Sequence, residues 1–300
     1  MMVQDKFSEK IITLINLPGI KAINSLGLNS PNPPIGLAYI AAILKKDGYN
    51  YKVIDMAGEA LDQIISSEKK KNYYIQGLSL EKGISLIPEN TDIIGFSCIF
   101  SPHWPLLRDL VKQIRQRFPD IFMVAGGEHI TALPEFSLKD SELDAIVLGE
   151  GELIFPSLIK ALRNNENFQD IKGIVFKNRQ NKEIVINQRE KRIMDLDSIP
   201  WPDWDSFPIE EYIKSDLQNG VNRGRSMPIV ATRGCPHRCS FCSNMKMWTG
   251  IYKVREPSDV VSEMEDYIKK YDVVNFNFQD LTAFVDKHWT LQLAQEILSR

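Results

Sequence analysis

Hydrophobic residues in the first half of the chain fall into short continuous runs that alternate with longer stretches of helical pattern. Continuous apolar runs bounded by glycine, proline or polar residues are typical of strands that are buried on both faces of a parallel sheet. The pattern predicts strands at residues 11–17, 52–55, 92–98, 122–125 and 145–148, and helices at 35–46, 105–117 and 153–163. This alternation predicts an α/β fold with a doubly wound, Rossmann-like parallel sheet. Residues 173–177 and 183–187 are expected to add a hairpin to that sheet.

The pattern changes near residue 190, where prolines and aromatic residues cluster without a clear period. Because Trp201, Trp204 and Phe207 would be exposed in a free linker, we expect this segment to pack on both of its neighbours. Beyond it, strands are predicted at 228–232 and 273–279, and helices at 258–270, with Ser258 as a cap, and at 287–300. The predicted organisation is therefore a first domain at 1–189, a connector at 190–225 and a second domain at 226–300.

Composition and charge exclude several classes of protein. The chain is 43% hydrophobic and 25% charged with a net charge of −3, which argues against a nucleic-acid partner attracted by bulk charge. No apolar stretch approaches the roughly 18 residues expected of a transmembrane helix. The N-terminus lacks the apolar core of a secretion signal. Three of the four cysteines are crowded together, unlike a disulfide framework, so we expect a cytoplasmic, reducing location.

The crowded cysteines, Cys235, Cys239 and Cys242, form a C-x3-C-x2-C run. Three thiolates on one short loop can hold three irons of a cubane cluster and leave the fourth iron open. Bacterial ferredoxin runs have a different spacing, and a structural zinc site usually needs a second cysteine pair. A loop that binds zinc or no metal is the alternative. The fourth cysteine, Cys98, is expected to be a small buried side chain at a strand end.

The cysteine run, with Arg233 and Gly234 before it and Phe241 before its last cysteine, resembles the radical S-adenosylmethionine (SAM) superfamily. The resemblance implies a [4Fe–4S] cluster held by the three cysteines, SAM bound at the open iron, and a partial (β/α)6 barrel. Phe241 is then expected to contact the adenine of SAM or to pack beside the cluster, and His237 to be exposed. Since only two β/α units follow the connector, we expect a fragment or an incomplete barrel with an open sheet edge.

The loops after the predicted strands carry a second set of candidates, because parallel sheets bind ligands at the carboxyl ends of their strands. Neither the nicotinamide fingerprint nor the P-loop motif is present, so those nucleotides are not expected. Taken in order and followed by the cysteine run, these loops resemble the cobalamin-binding domain of B12-dependent radical SAM enzymes. The D-x-H-x-x-G motif is absent, so no histidine from that motif is expected below the cobalt. The candidate cofactor-binding residues are Gly36, Ser101, His103, Gly126, Gly127, His129, Gly149, Glu150 and Gly151.

Several of these candidates have alternative roles. The glycines would let the backbone approach a bulky ligand. His129 could instead hydrogen-bond within its loop, His103 could cap the following helix, and Glu150 could simply favour a helix start. Asp280 is a candidate catalytic residue, because it ends a predicted strand of the second domain and barrel enzymes place their chemistry there.

Together these resemblances imply an enzyme that cleaves SAM with its cluster and, with cobalamin, methylates an unactivated carbon of a small-molecule substrate. The cofactors would carry the difficult chemistry, and an external electron donor such as flavodoxin or ferredoxin would reduce the cluster. One alternative is a radical oxidative cyclase or rearrangement enzyme without methyl transfer, similar to the anaerobic protoporphyrin ester cyclase. Another is a non-catalytic cobalamin-binding module.

Overall fold

A computed structural model describes residues 10–22, 32–66, 73–178, 181, 183–215 and 224–300. Parts of the predicted first domain and connector, including residues 216–223, lie outside the described residues. The strands are β1 (Ile11–Asn16), β2 (Gly19–Ala22), β3 (Tyr51–Asp55), β4 (Ile64–Ser66), β5 (Tyr73–Gln76), β6 (Thr91–Ser97), β7 (Phe122–Gly126), β8 (Ala145–Val147), β9 (Ile174–Lys177), β10 (Ile184–Ile186), β11 (Ser226–Ile229), β12 (Thr232–Arg233), β13 (Lys253–Val254) and β14 (Asn275–Phe278). The helices are α1 (Ile35–Lys46), α2 (Leu80–Ser85), α3 (Trp104–Arg117), α4 (Glu128–Ala132), α5 (Pro134–Lys139), α6 (Gly151–Arg163), α7 (Ile209–Lys214), α8 (Asn244–Met247), α9 (Pro257–Tyr271) and α10 (Lys287–Ser299).

The main sheet has seven strands in the order β10-β9-β8-β7-β6-β1-β3. Strands β3, β1, β6, β7 and β8 run parallel, whereas β9 and β10 are antiparallel additions. The predicted doubly wound, Rossmann-like sheet and its hairpin are therefore confirmed. From β1 the chain crosses first to β3 on one side and later to β6 on the other. This reversal creates the crevice in which open α/β sheets bind ligands.

Both faces of the main sheet are buried, which explains the continuous apolar runs in the sequence. Ile12 and Leu14 of β1 pack into one hydrophobic cluster with residues of α1 and α6. Ile15 of β1 and Ile94 of β6 pack into a second cluster with residues of α3. Alternate residues of one strand thus face opposite layers of helix. The sheet is therefore held by apolar packing on both of its faces.

The second unit contains two β/α repeats, as the sequence predicts. Strands β11 and β14 are parallel neighbours. Ile229 of β11 packs in one hydrophobic cluster with Val260 of α9 and with Trp289 and Leu293 of α10. The prediction of one strand at 228–232 is wrong, because β11 pairs with β14 whereas β12 pairs with β13. The predicted capping role of Ser258 is also wrong. Helix α9 begins one residue earlier, at Pro257, and has no side-chain cap.

The connector packs on both neighbours, as expected. Trp204 is 1% exposed, and its indole Nε1 donates a hydrogen bond to the Tyr267 hydroxyl of α9 at 3.0 Å. Tyr212 of α7 donates to the Asp55 carboxylate at the end of β3, at 2.9 Å. The aromatic residues of the connector therefore join the two units through a shared core. Among the described helices, none has both the length and the apolar character needed to cross a membrane.

Candidate cofactor cleft and cysteine loop

A cleft with a cavity volume of about 290 Å³ lies at the carboxyl ends of the parallel strands. On one side it is lined by residues at strand ends of the main sheet, such as Ser97 and Gly126. On the other side it is lined by Thr232, Trp248 and Gln279 of the second unit. The cleft is thus built at the switch point of the main sheet, and the segments on either side of the cysteine loop complete its walls.

Six predicted cofactor-binding residues line this cleft: Gly36, Gly126, Gly127, Gly149, Glu150 and Gly151. A Cβ atom added at Gly36 would meet no atom within 4 Å, and one at Gly126 would come no closer than 3.8 Å, to Val147. Gly127 differs, because its φ is +111° and an added Cβ would lie 2.6 Å from the Cys98 carbonyl oxygen. Gly36 and Gly126 leave open space for a ligand, whereas Gly127 is needed for the positive φ of its backbone turn. This space suits a bulky ligand.

The structure places Ser101, His103 and His129 outside the residues that line the cleft. Ser101 Oγ and His129 Nδ1 are 2.9 Å apart, whereas His129 Nε2 is buried without a hydrogen-bond partner among the described residues. Burial lowers the pKa of both His103 and His129. His103 is the N-cap residue of α3, the position that its alternative role requires, but its side chain makes no capping hydrogen bond. For all three, cofactor contact stays a prediction.

Glu150 lines the cleft, but its carboxylate is engaged by protein groups. It accepts hydrogen bonds from Arg192 Nε at 2.7 Å and from the Ile193 backbone N–H at 2.8 Å, and Arg233 Nη1 lies 3.3 Å away. Arg233 also lies 2.7 Å from Glu152. Burial by itself would lower the pKa of Arg233, but Glu152, Tyr39 and Glu150 together outweigh burial and raise that pKa. Sequence reasoning proposed neither arginine as a site residue, although Arg233 was noted two positions before the cysteine run.

The cysteine loop is held by glycine and asparagine. Gly234 has a φ of +89°, and an added Cβ would collide with the Ile251 carbonyl oxygen, so a side chain is excluded there. Asn244 is 3% exposed and donates from Nδ2 to the Cys235 carbonyl at 2.9 Å and the His237 carbonyl at 3.2 Å. Its backbone N–H lies 3.5 Å from Cys242 Sγ. Phe241 is 91% exposed, so its predicted contact with adenine or cluster stays a prediction.

The three loop cysteines are free thiols, half-buried at Cys235 and exposed at Cys239 and Cys242. Within the described parts of the chain, no group of three or more His, Cys, Asp or Glu side chains is arranged to hold a metal ion. The donor chemistry nevertheless fits an iron–sulfur cluster, since three thiols lie on one short loop. Cys98 is 1% exposed, as expected, and burial raises the pKa of its thiol to about 12. The role of Cys235, Cys239 and Cys242 as metal ligands stays a prediction.

Asp280 lies two residues after β14, between two cleft residues, but its carboxylate already accepts hydrogen bonds. It accepts from the Thr232 hydroxyl at 2.5 Å and from the Thr232 backbone N–H. Burial raises the pKa of Asp280, although the bonds from Thr232 oppose that effect. These hydrogen bonds connect the segment after β14 to β12, the strand that leads into the cysteine loop. This arrangement favours a positioning role, and the catalytic role stays a prediction.

Comparison with known proteins gives three results. Residues 26–159 match the B12 binding domain family. The chain is 28% identical over 269 residues to cytidylyl-2-hydroxyethylphosphonate methyltransferase of Streptomyces wedmorensis, a match that covers 82% of this chain and 50% of that protein. It is 32% identical over 274 residues to the anaerobic magnesium-protoporphyrin IX monomethyl ester cyclase of Rubrivivax gelatinosus, covering 89% of this chain and 45% of that protein. The chain thus spans about half the length of these relatives.

The fold is also similar to that of a solved radical SAM methyltransferase, TsrM from Kitasatospora setae, whose structure contains cobalamin and a [4Fe–4S] cluster. The TM-score is 0.69 at 18% sequence identity, and the match covers 97% of this chain and 52% of TsrM. At this identity the similarity concerns the fold alone. It extends over both the main sheet and the second unit.

Proposed function

We propose that this chain is a cobalamin-dependent radical SAM enzyme that binds cobalamin, SAM and a [4Fe–4S] cluster and transfers a methyl group. The substrate we propose is a small molecule with an unactivated carbon, and the proposal includes an external electron donor such as flavodoxin or ferredoxin. The B12 binding domain and the methyltransferase relatives support this proposal.

The proposal rests mainly on the cleft, because residues of the main sheet and residues on both sides of the cysteine loop line it. Gly36 and Gly126 would lie against cobalamin, since an added Cβ there would occupy open space. Cys235, Cys239 and Cys242 would hold the cluster. When bound, the cluster and SAM supply a carbon-centred radical and cobalamin supplies a methyl group.

The chain's own residues would bind and orient these groups. Apolar side chains at the strand ends, such as Leu14, Phe96 and Val124, line the cleft and would keep water away from a bound cofactor. Thr232 and Asp280 hold β14 beside the start of the cysteine loop. Asn244 ties the loop's carbonyl groups together. The loop would therefore be kept next to the cleft while its thiols remain accessible to iron.

Anaerobic reconstitution of the full-length natural protein tests this function. With a reductant and SAM labelled in its methyl group, we expect 5′-deoxyadenosine and a labelled product when the substrate is supplied. Candidate substrates are the compounds made by enzymes whose genes lie beside the gene of this protein. Bound cobalamin and SAM cleavage without label in any product would contradict methyl transfer.

A radical cyclisation is the second candidate, and the 32% identity to the ester cyclase favours it. Both candidates use the same cleft and cysteine loop, so the same isotope experiment separates them. A cyclase would release 5′-deoxyadenosine and an oxidised product that contains no carbon from SAM. A methyltransferase would place the labelled carbon in its product.

A further inference from the structure

Two arginines hold the chain that follows the cysteine loop. Arg189 donates from Nη2 to the Met247 carbonyl at 2.7 Å and also contacts the Lys246 carbonyl. Arg192 donates from Nη1 to the carbonyls of Trp248, at 2.5 Å, and Ile251, at 3.1 Å. We call Arg189 and Arg192 the arginine clamp. Both come from the segment just after the hairpin of the main sheet, so the clamp joins that sheet to the exit of the loop.

Glu150, which lines the cleft, holds the Arg192 side chain of the clamp. Its Oε2 lies 2.7 Å from Arg192 Nε, and the two side chains are only 4% and 5% exposed. Such a pair is little screened by solvent, and loss of one partner would leave the other buried and uncompensated. The Arg192 guanidinium also stacks on the Trp248 ring, with 4.7 Å between its Cζ and the ring centroid. The position of Arg192 is therefore determined by Glu150 on one side and Trp248 on the other.

The entrance of the loop is tied to the same carboxylate. Arg233 precedes Cys235 by two positions, and its Nη1 lies 3.3 Å from Glu150 Oε1. The guanidinium also lies on the Tyr39 ring of α1, at 4.6 Å from the centroid. Glu150 thus contacts Arg233 before the cysteine loop and Arg192, which binds the chain after it. Cys239 and Cys242 between these two contacts are exposed. Glu150 therefore contacts an arginine at each end of an otherwise exposed loop, and Glu152 adds a second contact to Arg233 at 2.7 Å.

We propose that Glu150 is a positioning residue that, through Arg192 and Arg233, couples occupancy of the cobalamin cleft to the geometry of the cysteine loop. This inference rests on the proposed cobalamin and cluster binding. By linkage, a cluster that orders the loop should tighten cobalamin binding, and cobalamin should order the loop by the same factor.

The first test is hydrogen exchange of the full-length protein without cofactors. Glu150→Gln keeps the side-chain shape but removes the charge, and Arg192→Lys keeps the charge but loses the planar fork. We expect amide exchange at residues 234–251 to accelerate about tenfold in each variant, and the double variant to add little, because the residues act through one contact. Asp92→Asn is the matched control, since it breaks the pair with Arg163 at the other end of α6. Unchanged exchange in both single variants would overturn the proposal.

The second test measures cobalamin affinity with and without the reconstituted cluster. We expect the cluster to tighten binding about tenfold in the wild type and in Asp92→Asn, and to have almost no effect in Glu150→Gln. An equal effect of the cluster in wild type and Glu150→Gln, or no effect in the wild type, would overturn the coupling. Failure of the proposed function is distinguishable, because the wild type would then bind no cobalamin in either state.

Discussion

In the main sheet, Ile12 and Ile94 are fully buried between two layers of helix, whereas in the cysteine loop Cys239 and Phe241 are exposed. The sheet takes its shape from apolar packing that is distributed over many residues. The loop takes its shape from a few hydrogen bonds, donated by Asn244 and by the arginine clamp. The two halves of the proposed cofactor site are therefore built by different physical means.

The difference implies that the two halves should respond differently to mutation. A cleft formed by strand ends keeps its shape when one lining residue changes, because the core behind it is close-packed. A loop held by few polar contacts depends strongly on each of them, and on the metal that its thiols would bind. Changes in the cleft should thus affect binding with little loss of folding, and changes around the loop should affect both geometry and iron content.

The largest expected effect follows removal of a loop thiol. Cys239→Ala should lower iron content and reduce SAM cleavage about a thousandfold or more, because the remaining two thiols cannot hold the cluster for cofactor chemistry. Iron analysis and 5′-deoxyadenosine formation under anaerobic conditions measure this. Cobalamin should still bind. Cys98→Ala is the control, since that buried thiol is remote in sequence and should leave iron content unchanged. Equal iron in wild type and Cys239→Ala would contradict the assignment.

A smaller, purely local effect is expected in the cleft. Gly36→Leu fills space that holds no other atom within 4 Å of a Cβ. Overpacking against a ligand costs about 1–3 kcal/mol, so cobalamin affinity should fall about ten- to hundredfold. Stability should not fall, because replacing a helical glycine stabilises a helix by about 0.5–1 kcal/mol. Cobalamin titration and thermal unfolding measure the two effects.

The matched control for Gly36→Leu is Lys160→Leu, which adds the same side chain on the exposed face of α6. We expect it to change neither cobalamin affinity nor the unfolding temperature by much. If Gly36→Leu bound cobalamin as tightly as the wild type, the ligand would lie elsewhere and the comparison between cleft and loop would fail.

The smallest effect concerns the pH dependence of the packed half. Burial raises the pKa of Asp55, although the hydrogen bonds from Asn16, Gly58 and Tyr212 lower it in part. The folded protein thus binds this proton more readily than the unfolded chain. The free energy of unfolding should therefore fall as pH rises from about 4 through the folded pKa, by up to about 1.4 kcal/mol per pH unit. Asp55→Asn should remove that contribution.

Urea denaturation across a pH series measures this slope. Asp120→Asn, at an exposed turn, serves as the control and should follow the wild type. Identical slopes for the wild type and Asp55→Asn would show that Asp55 does not contribute, and would leave the pairing with Tyr212 as a simple packing contact.

Sequence reasoning succeeded where the pattern is local and repeated. Helix α1 was predicted with its observed bounds, and the parallel strands of the main sheet to within one residue, because each is an apolar run with clear boundaries. Strands β2, β4 and β5 were missed. Each has only three or four residues, and they pair with one another in a separate three-stranded sheet, so they lack a long buried pattern.

The site was predictable only in part, for a related reason. The glycines of the cleft follow strand ends, and the sheet topology brings those ends together. The contact of Glu150 with Arg192 joins residues 42 positions apart and leaves no periodic signal in the sequence. Ser101 was expected in the cleft because it follows a strand end, but its hydroxyl lies against His129 instead. Long-range polar pairs depend on how the loops pack, and strand prediction does not specify that.

Native mass spectrometry of the anaerobically reconstituted full-length protein tests the central claim most directly, namely that one chain holds both cofactors at this shared site. The account predicts a main species whose mass includes one cobalamin and a cluster of about four irons and four sulfides. It also predicts that Cys239→Ala loses only the cluster and that Gly36→Leu loses only cobalamin. A chain that carried zinc instead of iron, or that bound cobalamin and cluster only in separate molecules, would contradict it.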